Sequence, residues 1–136
     1  MEIRIFDNSL EKFIKNLQKP TIAKLLRTTN LLEKFGQKLG PPHTKKISTC
    51  LFELRISGKQ EVRIFYSFHK SQIFLLHGFV KKSQKIPQRE IKAAFQKLKL
   101  VKEGKSSFPP SAIARVVKED KSSFPPFAKA RVLDKI

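Results

Sequence analysis

Three segments, LFELRI (Leu51–Ile56), EVRIFYSFH (Glu61–His69) and IFLLHGFV (Ile73–Val80), stand almost end to end, parted only by SGKQ and KSQ. Gaps that short leave room for hairpin turns and little else, so the segments predict a meander of antiparallel strands. Their period is two. Phe52, Leu54 and Ile56 fall on one face, with Glu53 and Arg55 on the other. Val62, Ile64, Tyr66 and Phe68 oppose Arg63, Phe65, Ser67 and His69. The last segment is apolar on both faces, as a central strand is.

The flanking sequence supplies a cover for this sheet. EIRIF alternates as a short strand. DNSLEKFIKNLQK sets Leu10, Phe13, Ile14 and Leu17 at helical spacing, with Asp7 or Asn8 as cap, Glu11 able to reach back, and Pro20 as the stop. TIAKLLRTTNLLEKFG repeats the pattern with Ile22, Leu25, Leu26, Leu32 and Phe35, and Gly36 suits a C-terminal cap. The two helices read as a hairpin. Pro87 opens a final helix with Ile91, Ala94, Phe95 and Leu98 inward. The expected fold is α+β, in the order β-α-α-β-β-β-α, an antiparallel sheet packed against a helical hairpin.

Residues 1–100 form the expected domain. In residues 101–136, VKEGKSSFPPSAIARV is followed directly by VKEDKSSFPPFAKARV, a tandem repeat of 16 residues. Two copies are too few for a solenoid. The Pro-Pro pairs and scarce apolar residues predict a flexible, largely disordered tail. A twice-presented Phe-Pro-Pro docking motif is the alternative.

Charge narrows the function. Lys and Arg number 29 against 11 Asp and Glu, a net charge of +18, and residues 1–100 hold 21 and 7 of them. Self-repulsion on that scale points to a polyanionic neighbour, nucleic acid first and an anionic membrane surface second. The one cysteine, Cys50, excludes an internal disulfide and a cysteine-based zinc site. The N-terminus has no apolar leader, and the longest apolar run, Ile73–Val80, is far short of the roughly 20 residues of a membrane helix. A soluble cytoplasmic protein is expected, without membrane association.

Were the polyanionic neighbour RNA, its cleavage would need no metal, because the 2′-hydroxyl can attack the adjacent phosphate. A protein assists by aligning the strand, moving protons and neutralising charge on the phosphate. The acidic residues of the first 100 do not cluster at ligand spacing, so neither a metal nor another cofactor is expected. Among the three histidines, His77 reads first as a core residue of an apolar strand. The arginines are better placed. Arg55 and Arg63 share the face opposite the aliphatic stripe, where a guanidinium can grip a phosphate through two hydrogen bonds. For Arg55 an ion pair with Glu53 or Glu61 is the structural alternative. FLLHGFVKKSQKIP places Lys81, Lys82 and Lys85 where the buried strand ends, either along an RNA path or in a solvated loop. Phe79, on the face of His77, could stack on a base, while Tyr66 falls with the core. Lys38, Lys45 and Lys46 extend the basic surface toward RNA.

In order and spacing, LFELRI, VRIFYSFH and FLLHGFVKKSQKIPQREIKAA resemble the run that marks the HigB-like, phage-derived branch of the RelE/ParE toxin superfamily. The resemblance covers roughly residues 1–99, and the repeats lie outside it. It implies the toxin of a type II toxin–antitoxin system. Such a toxin is a metal-independent endoribonuclease that cuts mRNA, usually on the ribosome, and is neutralised by a helix-turn-helix antitoxin. By position it implies catalytic, phosphate-binding roles for Arg55, Arg63, Lys81 and Lys82. The competing readings are a ParE-like gyrase inhibitor and an inactive relative that only binds antitoxin or RNA.

Overall fold

The computed structural model describes residues 2–104 and shows a mixed α+β fold with a five-stranded sheet and three helices. Strand β1 (Glu2–Ile5) leads into α1 (Asn8–Lys15) and α2 (Lys19–Phe35), and a 3-10 turn (Gly36–Lys38) follows. Then come β2 (Thr44–Lys46), β3 (Phe52–Ile56), β4 (Val62–His69), β5 (Gln72–Val80) and α3 (Gln88–Lys102). The strands lie in the order β1-β5-β4-β3-β2. The expected meander is β3-β4-β5.

The edges differ from expectation. β1 pairs with β5 in parallel, so the sheet is mixed. Thr44-Lys45-Lys46, read as loop, is a short antiparallel edge strand on β3. Its two exposed lysines fit an edge, where charge discourages pairing with another chain. Pro20 stands in the first turn of α2 and does not end α1. There its missing N–H costs nothing.

The helical hairpin covers one sheet face. Leu10, Ile14, Ile22, Leu25, Leu26 and Leu32 pack on Leu54, Ile56, Val62, Ile64, Tyr66, Ile73 and Leu75. Asp7 caps α1, its Oδ1 accepting the Leu10 N–H at 3.0 Å. Gly78 lets α1 sit close, because a β-carbon there would lie 2.8 Å from the Phe13 ring. Burial pushes the Tyr66 phenol up to about 12 against a slight opposing pull from Thr44, as befits a core residue.

Helix α3 covers part of the other face, against Leu51, Phe65, Phe74, Leu76 and Phe79. Its buried stripe is Ala94, Leu98 and Val101. Phe95, expected inward, is exposed, as is Phe35 at the end of α2. The β4–β5 turn uses Lys70 and Ser71, both at positive φ, the two-residue geometry that matches strand twist.

Val101 is 2% exposed and α3 runs to Lys102, so the first repeat unit begins inside the folded helix. The expected boundary after residue 100 therefore falls inside α3; the remaining tail, from residue 105, lies outside the described residues. Truncation after Leu100 should cost about 1.5–3 kcal/mol more than truncation after Gly104, the worth of one buried valine. Urea unfolding midpoints of the two shortened chains measure that difference.

Candidate nucleic-acid interface

The α3 side of the sheet carries Arg55, Arg63 and Lys45 among the predicted cations, and strand register sets their spacing. Arg55 of β3 is directly opposite Arg63 of β4, and Arg63 is opposite Phe79 of β5. The neighbouring row is Lys45, Glu53, Phe65 and His77. Two guanidiniums face to face across strands repel. Glu53, one step along the same face, sits between them. Its Oε1 accepts from Arg55 Nε at 3.0 Å and lies 3.9 Å from Arg63 Nε. This carboxylate is 1% exposed, and its Oε2 has no hydrogen-bond partner among the described residues.

The arginines are not equivalent. Arg63 is 6% exposed, donating through one terminal nitrogen to the Val62 carbonyl at 3.0 Å and through the other to Glu61 Oε1 at 3.3 Å. Its fork is engaged by protein, so it organises the site more than it presents charge. The Arg55 side chain keeps 34% of its surface in solvent. It is the arginine a phosphate can reach. The ion pair foreseen as the structural alternative for Arg55 thus exists, with Glu53, and Arg63 pairs with Glu61 as well.

Glu61 braces the β3–β4 turn, accepting from Ser57 Oγ at 3.1 Å and the Gly58 N–H at 3.3 Å. Burial alone would raise its carboxyl, but the hydrogen bonds from Ser57, Arg63 and Gly58 and the Arg63 charge together hold it below 4.5. A lowered folded value makes Glu61 stabilising above pH 4.5, a contribution lost as pH falls through the folded value. Melting temperatures of the protein and of Glu61→Gln should differ at neutral pH and converge as pH falls below 4.5.

The lysines gather at the end of β5. The Lys81 N–H donates to the Glu61 carbonyl at 2.7 Å, so pairing continues one residue past the strand. Alternation from Phe79 then puts Lys81 on the arginine face. Lys82 and Lys85 are exposed beyond it. The other predicted contacts divide. Lys45 lies opposite Glu53 on this face, but Lys46 lies opposite Phe52 and turns to the hairpin side. Lys38 is exposed at the end of the 3-10 turn that follows α2. Sequence alternation alone could have separated Lys45 from Lys46 once β2 was known. Phe79, expected as a base platform, is enclosed instead. It is 7% exposed and packs on Phe65 at 5.8 Å between ring centroids, beneath α3.

His77, read from the sequence as a core residue, is only partly buried and paired with a carboxylate. A β-bulge intervenes in β5, where Phe65 pairs with His77 but Tyr66 pairs with Leu75, leaving Leu76 extra. Leu75 packs on the hairpin and Leu76 on the α3 side. His77 then also points to the α3 side, where its Nε2 meets Glu90 Oε1 at 2.6 Å. Bulges re-aim side chains in this way, and they are common beside active sites. Glu90 is thirteen residues downstream, so no local pattern joins the two. A cleft behind β3 adds cations on the hairpin side, lined by Lys24, Arg27 and His43. Among the described residues, no group of three His, Cys, Asp or Glu could hold a metal ion, and no helix is long and apolar enough to cross a membrane.

Fold and site together define a small, strongly basic α+β protein with a cation-bearing sheet face. Residues 12–99 match the family described as Phage derived protein Gp49-like (DUF891), and the chain belongs to that family. The family is a relative of the RelE-like toxins, which places the chain in the broad RelE/ParE toxin superfamily and implies an antitoxin partner. No curated protein matches the chain.

Proposed function

We propose that the chain is a HigB-like toxin of a type II toxin–antitoxin system, a metal-independent endoribonuclease that cuts mRNA on the ribosome. The observation that carries this reading is the row of Arg55 and Arg63 in direct register, on the sheet face left open by the helical hairpin, with Lys81 hydrogen-bonded beside them. In this reading Arg55, Lys81 and Lys82 meet the scissile phosphate. Arg63 fixes Glu53 and Glu61, and so fixes Arg55. Fixed cations are effective here because they need no reorganisation as charge builds on the phosphate. Lys45 and Lys85 steer the incoming strand, and a helix-turn-helix antitoxin neutralises the toxin.

Induced expression tests this. Cellular mRNA should be truncated within minutes. A DNA-damage response with intact mRNA would instead identify a ParE-like gyrase inhibitor, and growth without either effect would identify an inactive relative. Binding of the purified chain to RNA should also weaken steeply with salt, by nearly one log unit per log salt for each phosphate contact.

A further inference from the structure

We propose that His77 is the general base of this site, held by Glu90 as a positioning residue. The inference rests on the endonuclease reading and adds the proton carrier that reading lacks. Three observations converge. First, the bulge at Leu76 turns His77 away from the hairpin core and onto the face of Arg55 and Arg63. Without the extra residue, alternation from Ile73 and Leu75 would bury it under α1. Second, the bond to Glu90 is short, 2.6 Å, and joins the sheet to the first turn of α3. Third, the side chain is 21% exposed, and its bond to Glu90 uses Nε2 rather than Nδ1.

In the neutral imidazole the contact has one reading, because a carboxylate accepts hydrogen bonds: Glu90 Oε1 takes the Nε2–H, and Nδ1 keeps the lone pair that a base uses. In the proposed step Nδ1 removes the proton of a ribose 2′-hydroxyl, and the 2′-oxygen forms a bond to the adjacent phosphorus. The bond from phosphorus to the 5′-oxygen breaks, and that oxygen takes a proton from water. The products are a 2′,3′-cyclic phosphate and a 5′-hydroxyl. The imidazolium, held by Glu90, then returns its proton to solvent. No oxidant, metal or co-reactant enters. The acidic and basic groups toward His77 include Glu90 and Arg89 of α3, with Arg89 Nε 3.8 Å from Glu90 Oε2, and by register Arg63 on the adjoining β4 and Glu53 on β3 beyond it.

The test uses the full chain with programmed ribosomes, under single-turnover conditions, across pH. His77→Gln should lower the cleavage rate constant about 10²- to 10⁴-fold with RNA binding unchanged, and should remove the acidic limb of the pH profile. Glu90→Gln should lower the rate less and displace that same limb. Rescue of His77→Ala by added imidazole would separate base catalysis from packing. A folded His77→Gln chain that cleaves within threefold of the parent, with the same profile, overturns the proposal and leaves the pair as a strut between β5 and α3. If the His77 variants do not fold, Glu90→Gln decides: a displaced limb supports the proposal and an unchanged profile overturns it. A parent chain that cuts no RNA overturns the endonuclease reading itself, and the base assignment with it.

Discussion

Replacing Glu53 with alanine should destabilise the chain by about 3–5 kcal/mol, the usual consequence of stripping the partner from an enclosed charge. Glu53 is 1% exposed and lies between Arg55 and Arg63, which stand directly opposite on adjacent strands. Without it, Arg63, itself 6% exposed, keeps Glu61 at the turn and the Val62 carbonyl as its partners among the described residues. The two guanidiniums then repel across the ladder with nothing between them. Glu61→Gln should cost far less, because that carboxylate keeps 44% of its side chain in solvent. Chemical denaturation of the two variants gives the comparison. A loss below about 1 kcal/mol for Glu53→Ala would show that water already solvates Arg63, and the account of a dry, carboxylate-centred cluster would be wrong.

Arg55→Ala should lower RNA cleavage about 10²- to 10³-fold, the range for losing one preorganised group at a developing charge. Arg55 is the arginine of the pair with open surface, and its Nε is anchored to Glu53 at 3.0 Å. That anchor leaves its terminal nitrogens available while holding the group in place. Small misplacement is costly for phosphate transfer, so rigidity matters as much as charge. Arg55→Lys should recover only part of the loss, because an ammonium keeps the charge and not the planar fork. Circular dichroism separates this from unfolding, since Glu53 retains Arg63 in both variants. An equal loss from Lys46→Ala would contradict the assignment, because Lys46 turns to the opposite face.

Strands β3 and β4 were legible because one face of each is a clean apolar stripe, from which burial follows by parity, and β5 was legible as an apolar run bounded by turns. Val62, Ile64 and Tyr66 lie under the hairpin as the alternation of β4 requires. The helices were legible from spacing, though their ends were less so. Phe95 lies one helical step off the Ala94–Leu98–Val101 stripe, and apolarity alone could not show it outward. Strand β2 was hidden because an edge strand of Thr-Lys-Lys carries no apolar alternation. The parallel partner of β1 was hidden for a different reason, since pairing between distant segments leaves no local mark. The site was half legible. Parity brought Arg55 and Arg63 together, but not the burial of Arg63 or of Phe79, which depends on where α3 lands. The His77–Glu90 bond depends on a bulge inside a run apolar on both faces, where periodicity has nothing to report.

The most direct measurement maps RNA ends. A defined mRNA is translated in a reconstituted system with the purified chain or with Arg55→Ala, and the fragments are sequenced from both ends. The account predicts discrete cuts within the ribosome-bound message, leaving a 2′,3′-cyclic phosphate and a 5′-hydroxyl, and their near disappearance with Arg55→Ala. Intact message with the parent chain, or identical cutting by the folded Arg55→Ala variant, would contradict it.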